Sequence, residues 1–164
     1  MNRTTMTDPT LQLLGRLVGT WTTEATHPAM PGVTVHGSVT VEWLEGERFL
    51  IHRARTDHPD FPDSISIIGH TEDDRVDEST HAVPASAEQA PMRMHYYDSR
   101  GVYRTYEVRV DDVAWRWWRE VPGFSQRFTG TFADGGATIV GRSQLRRDDV
   151  HWADDLQITY RRSR

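Results

Sequence analysis

The sequence contains no cysteine and no lysine; all 19 of its Lys-plus-Arg residues are arginine. Without cysteine there is no disulfide framework, no thiolate nucleophile and no sulfur-ligated zinc or iron–sulfur site. Without lysine there is no Schiff base, which excludes aldolase-type and pyridoxal chemistry. No apolar run approaches the roughly 18 residues of a spanning helix, and the opening segment through Pro9 has no apolar core of a signal peptide. The expected location is therefore the cytoplasm, with no membrane partner. No Gly-x-Gly-x-x-Gly, Walker, Gly-x-Ser-x-Gly or His-Glu-x-x-His pattern occurs, so no motif cradles nucleotide phosphates or builds a hydrolase elbow or a zinc helix. The formal net charge of −5 has the wrong sign for nucleic acid as the main partner. Arg161, Arg162 and Arg164 form one local basic cluster, read as a solvated tail.

What is present is aromatic and strand-like. The 164 residues suit one domain and include six Trp, five Tyr and five Phe. Asp8-Pro9 is a helix start. Leu11, Leu14, Leu17 and Val18 follow at helical spacing, so the sequence predicts a short amphipathic helix over residues 8–18. From Trp21 the period changes to two. Val33, Val35, Val39, Val41 and Trp43 share one face of a strand, and Thr34, His36, Ser38, Thr40 and Glu42 share the other. Glu45-Gly46 turns that strand into Arg48–Arg55, and Ser64–Gly69 follows. Residues 71–90 are acidic, then small and polar, and are expected to be a mobile loop. Strands are expected next over 92–97, 102–110, 113–120, 124–132, 138–146 and 152–161, each ended by Asp, Gly or Pro turns.

About ten short strands in sequential hairpins leave two costly edges unless the sheet closes. The expected fold is all-β: a closed up-and-down antiparallel barrel with a short N-terminal helix. Its bore would be too wide for side chains to fill easily, so a cavity is expected. With the more apolar side inward, the lining includes Trp21, Val39 and Trp43; Met92, Met94 and Tyr96; Arg104, Tyr106 and Val108; Val113, Trp115 and Trp117; Phe124, Gln126 and Phe128; and Leu156, Ile158 and Tyr160. A single bulge would invert any of these sets. The expected ligand contacts are Trp43, Met92, Met94, Tyr96, Arg104, Tyr106, Trp115, Trp117, Gln126 and Phe128. An inward Arg104 is costly unless paired. Either it meets a carboxylate, with Asp154 the inward candidate on the last strand, or it awaits an anionic or carbonyl-bearing ligand, or the register there differs. Closure also makes the first and last strands neighbours, so Arg161-Arg162 is expected to supply a guanidinium over Trp21 as a structural latch.

Gly19-Thr20-Trp21 and the late Tyr160-Arg161-Arg162 resemble the calycins, which share a Gly-x-Trp opening and a late arginine. The chain is closer still to an uncharacterised bacterial family of lipocalin-like barrels. That resemblance is carried by Leu17-Val18-Gly19-Thr20-Trp21, Tyr97-Asp98-Ser99-Arg100-Gly101-Val102, Arg127-Phe128-Thr129-Gly130-Thr131-Phe132 and Asp155-Leu156-Gln157-Ile158-Thr159-Tyr160-Arg161-Arg162. It implies the barrel and is nearly silent on function. Nitrobindin, a more distant relative, is a haem barrel with further glycines after Gly-x-Trp and a late proximal histidine. Here Thr22, Thr23 and Glu24 replace those glycines, and His151 is the only late histidine. Fatty-acid-binding proteins hold a carboxylate with Arg-x-Tyr on the last strand; Arg104-Thr105-Tyr106 has the spacing but lies mid-chain.

Three functions remain open. The chain binds a small hydrophobic or aromatic molecule without a cofactor; or it is a cofactor-free cyclase or isomerase of a biosynthetic pathway, with Tyr106, Arg104 and Asp154 as donor, oxyanion stabiliser and base; or it holds haem through His151. His36, His52 and His95 are read as outward-facing surface residues. A homodimer stays open.

Overall fold

The computed structural model describes residues 8–70 and 92–164. Ten antiparallel strands close into one barrel: β1 (Gly19–Thr26), β2 (Val35–Trp43), β3 (Phe49–Thr56), β4 (Ser64–His70), β5 (Met92–Asp98), β6 (Tyr103–Val110), β7 (Ala114–Arg119), β8 (Ser125–Ala133), β9 (Thr138–Arg146) and β10 (Ala153–Arg162). Each strand pairs with its neighbour in the chain, and β1 pairs with β10. The closed up-and-down barrel expected from the alternation is therefore observed. The loop expected over 71–90 lies outside the described residues.

The helix α1 (Pro9–Leu14) runs into a 3-10 turn over Gly15–Leu17. Asp8 starts it by accepting the amide of Thr10 at 2.9 Å, and Pro9 fills the first turn. Leu11, Leu14 and Leu17 are buried in one end of the barrel. Arg16 fixes the helix there by donating to the carbonyl of Asp112 at 2.6 Å, and Asp8 pairs with His70 at 2.9 Å. The opposite end is the mouth. It is ringed by the β1–β2, β3–β4, β5–β6, β7–β8 and β9–β10 connections.

Every strand contributes to one buried cluster, through Trp21, Val39, Leu50, Ile68, Met94, Val108, Trp115, Phe128, Ile139 and Tyr160. Aromatic rings continue this cluster toward the mouth. Trp21, Tyr160, Trp115, Phe128, Trp117, Tyr106 and Tyr96 touch in succession, at centroid separations from 4.6 to 6.4 Å. The plugged half is therefore filled by this cluster. The helix supplies leucines that a strand count does not include, and indole rings span the rest.

The latch is present. Arg162 lies 4.1 Å from the ring centroid of Trp21 and donates to the carbonyls of Val18 and Arg16. The Trp21 indole donates in turn to Leu17 at 2.9 Å. Gly19, at φ +142°, has the conformation this needs, and a Cβ there would overlap the Arg162 guanidinium. The Gly-x-Trp opening and the late arginine are thus two halves of one contact. Arg162→Met is expected to cost about 2 kcal/mol, from a cation–π contact and charge-assisted hydrogen bonds together. Urea unfolding measures it, and an unchanged midpoint would show that the latch is decorative.

Facing assignments change on β3 and at the start of β7. His52, read as outward, lies on the inner face of β3 with Leu50 and Ala54, and its two ring nitrogens are buried without partners among the described residues. Val113, read as inward, is 61% exposed because β7 starts after it.

Candidate functional site

Polar side chains gather at the inner face of the mouth. Arg104 and Tyr106 come from β6, Trp117 and Arg119 from β7, Gln126 and Phe128 from β8, Ser143 from β9 and Asp155 from β10. Tyr106 donates its hydroxyl to Gln126 Oε1 at 2.8 Å, and Arg104 donates to the same oxygen at 3.3 Å. Two donors on one oxygen fix the amide orientation and leave the Gln126 NH2 without a partner among the described residues. Arg104 also lies 4.8 Å from the ring centroid of Phe124. It forms no ion pair among the described residues. Burial raises the pKa of the Tyr106 phenol, which keeps it protonated; Arg104 and Arg119 pull the other way, and Asp155 adds to the rise. The floor is apolar: Trp117 stacks on Phe128 at 5.1 Å and 11°.

Arg104 therefore does not meet Asp154. The last strand carries a bulge between Asp154 and Gln157, so Asp155 and Leu156 both oppose Ser143. Asp154 falls on the outside, exposed, where it accepts from Gln144 at 3.1 Å. Asp155 turns in instead, bonded to His27 at 2.7 Å. The expected inward carboxylate is thus displaced by one residue.

The other expected contacts divide by level. Tyr96, Arg104, Tyr106, Trp117, Gln126 and Phe128 belong to the mouth half. The Tyr96 hydroxyl is already engaged, donating to Asp98 at 3.0 Å. Burial, reinforced by Asp98, pushes the Tyr96 phenol well up. Trp43 and Met92 lie toward the plug, with Trp43 against Gly15, while Met94 is opposite Tyr106. Trp115 sits between the two levels and faces His52 at 6.0 Å. His151 is at the β9–β10 turn, 82% exposed and 2.7 Å from Asp148. It faces solvent and does not fit as an axial ligand to a haem held inside the barrel. His36 and His95 are on the outside, so they do not converge with His52. Among the described residues no three His, Asp or Glu side chains form a metal-binding group.

The wall opens beside the site. β6 and β7 pair only from Glu107 and Trp118 toward the plug. Beyond that pair they part around a cleft of about 680 Å³. Inward residues (Arg104, Tyr106 and Arg119) and outward ones (Tyr103, Glu107 and Trp118) both line it, as they do where a gap passes through a sheet. Its volume falls within the range of small-molecule pockets. Sequence reasoning missed Arg119, Ser143, Asp155 and His27. The first continues the inward parity of Trp115 and Trp117, and could have been found from it.

No protein-family model matches the chain, and no curated protein matches its sequence. Solved structures do match its fold. Rv2717c from M. tuberculosis is similar at a TM-score of 0.65 and 14% identity, over 95% of this chain and 98% of that one. The S-type phycobiliprotein lyase CPES from Guillardia theta is similar at a TM-score of 0.55 and 10% identity, over 93% and 92%. EF1p2_mFAP2b bound to DFHBI reaches 0.44 at 8% identity, over 94% and 99%, and is too remote to weigh. At these identities the likeness is one of fold.

Proposed function

We propose that the barrel mouth binds a small aromatic molecule carrying an anionic or carbonyl oxygen. The observation that carries this reading is Arg104: inward, half-buried, held by a neutral amide and a ring, and with no carboxylate among the described residues to neutralise it. Such a guanidinium is costly to bury alone. An oxygen of a ligand would accept from it and from the Gln126 amide together, while the aromatic part rests on Trp117 and Phe128. The antiparallel barrel is shared with the phycobiliprotein lyase, which supports a small-molecule role in general and no particular ligand.

The test uses 1-anilinonaphthalene-8-sulfonate and its uncharged counterpart N-phenyl-1-naphthylamine as fluorescent probes. The native protein is expected to prefer the sulfonate. Arg104→Met is expected to weaken the sulfonate about tenfold or more, as for one charge-assisted hydrogen bond, and to leave the neutral probe nearly unchanged. Equal sulfonate binding by both proteins, or none by the native one, would overturn the reading.

A further inference from the structure

We infer that Asp155 is a general base, oriented by His27 and Ser143, and that the mouth moves a proton on the molecule it binds. This rests on the mouth being the binding site and goes beyond binding.

The geometry starts with His27. Its Nδ1 accepts the amide of Ala29 at 3.1 Å, so the ring proton is on Nε2, 2.7 Å from Asp155 Oδ1. The imidazole therefore donates to the carboxylate as a neutral ring. Ser143 accepts the amide of Leu156 at 2.9 Å and has a single hydroxyl proton to give. That proton is shared between the Leu156 carbonyl at 3.1 Å and Asp155 Oδ2 at 3.3 Å. One carboxylate oxygen is thus firmly held and the other only weakly, and the weakly held oxygen is the one able to take a proton. No arginine pairs with Asp155 among the described residues, and its side chain is 20% exposed. The base is neither neutralised nor fully solvated.

The acceptor side faces it across the floor. Ser143 is opposite Phe128, and Gln126 lies two residues further on the same inner face. Asp155 is close enough to Tyr106 for its charge to be felt at the phenol. A bound molecule lying on Phe128 and Trp117 would thus have a carboxylate on one flank and the Arg104 and Gln126 donors on the other. That arrangement suits a C–H bond next to a carbonyl. Asp155 takes the proton, the C–H electron pair moves into the adjacent C–C bond, and the carbonyl π pair moves onto oxygen, where Arg104 and Gln126 donate. In a β,γ-unsaturated carbonyl compound, the resulting dienolate takes the proton back at its γ-carbon: the γ-carbon pair forms the new C–H bond, the double bond settles between the α- and β-carbons, the carbonyl re-forms, and the carboxylate is restored. No oxidant, reductant or metal enters the balance. Asp155 is the catalytic residue; His27 and Ser143 are positioning residues.

The probe reaction is the ring opening of 5-nitrobenzisoxazole, a flat aromatic substrate that needs only a base. The base removes the C3 proton, the C–H pair forms the nitrile, and the N–O bond breaks with its pair on oxygen to give 2-cyano-4-nitrophenolate. The native protein is expected to accelerate this beyond acetate at equal carboxylate concentration. Asp155→Asn should lower kcat/KM about 100-fold, at the lower end of general-base contributions. Asp154→Asn, on the outer face, should change nothing. His27→Ala should displace the pH profile, while His27→Gln, which keeps an N–H donor, should restore most of it. Sulfonate-probe binding by Asp155→Asn confirms that the variant is folded with its mouth intact. If that binding is retained and turnover equals that of the native protein, or if the native protein is no faster than acetate, the base assignment is overturned and the binding reading stands. If Arg104→Met also leaves sulfonate binding unchanged, the binding reading falls first.

Discussion

Taking the protein from pH 6.5 to pH 4 is expected to remove about 3 kcal/mol of folding stability, through His52 in the barrel interior. His52 is on the inner face of β3, and both of its ring nitrogens are buried without a partner among the described residues. Burial disfavours the charged ring and holds its pKa at about 4, against an ordinary 6.5. In the unfolded chain the ring takes a proton as the pH falls through 6.5; in the folded chain it refuses one until about 4. Between these values the unfolded state binds more protons, so stability falls with falling pH. Well above 6.5 and well below 4 this group contributes no slope. Asp98 and Asp111 titrate elsewhere. Burial opposes ionisation of Asp98, but the Val102 amide and Arg100 outweigh it; the Ala114 and Val113 amides lead at Asp111. Both carboxyls stay below the ordinary 3.8, outside the window. Urea midpoints at several pH values across the window measure the effect. His52→Phe should flatten the curve and be at least as stable at neutral pH, because it removes an orphaned polar group. A native curve that is already flat would mean that the ring protonates in place.

The barrel was legible because alternation, turn residues and the cost of open edges agree over the whole chain. The Trp21–Arg162 contact was legible for the same reason: closure makes its two ends neighbours. What parity could not supply was the position of the bulge. Asp154 and Asp155 are chemically identical, and only the extra residue opposite Ser143 decides which of them turns in. His52 was misread because β3 is apolar on both faces, with Phe49 and Ile51 outside and Leu50 and Ala54 inside. Hydropathy alone then favours neither. The filled half of the bore depends on how leucines from the helix meet indoles from the strands, and volume complementarity of that kind is not written in any local pattern.

Phe128→Ala is expected to cost about 4 kcal/mol and to weaken aromatic probes at the mouth at the same time. The ring lies over a backbone pair in which Gly130 faces Gly141 across β8 and β9. A Cβ at Gly141 would stand 2.6 Å from the ring, and one at Gly130 would stand 3.0 Å from it. The two glycines therefore make the recess that the ring fills, and the ring covers backbone that the glycines leave bare. From that recess it packs on Trp115 at 5.2 Å and stacks on Trp117, joining the filled half of the barrel to the floor of the site. Truncation removes a ring that is 5% exposed and leaves a void bounded by rigid sheet, which collapses poorly. Gly141→Ala tests the same fit from the other side. In the native background it should cost about 1–3 kcal/mol by pushing the ring off Trp117. In the Phe128→Ala background the methyl meets only the Ile158 side chain, whose Cγ2 stands 2.9 Å away, and should cost less than in the native background, so the pair should be non-additive. Simple additivity in a double-mutant cycle by urea unfolding would show that the ring does not lean on those glycines, and that the floor of the mouth is set by something else.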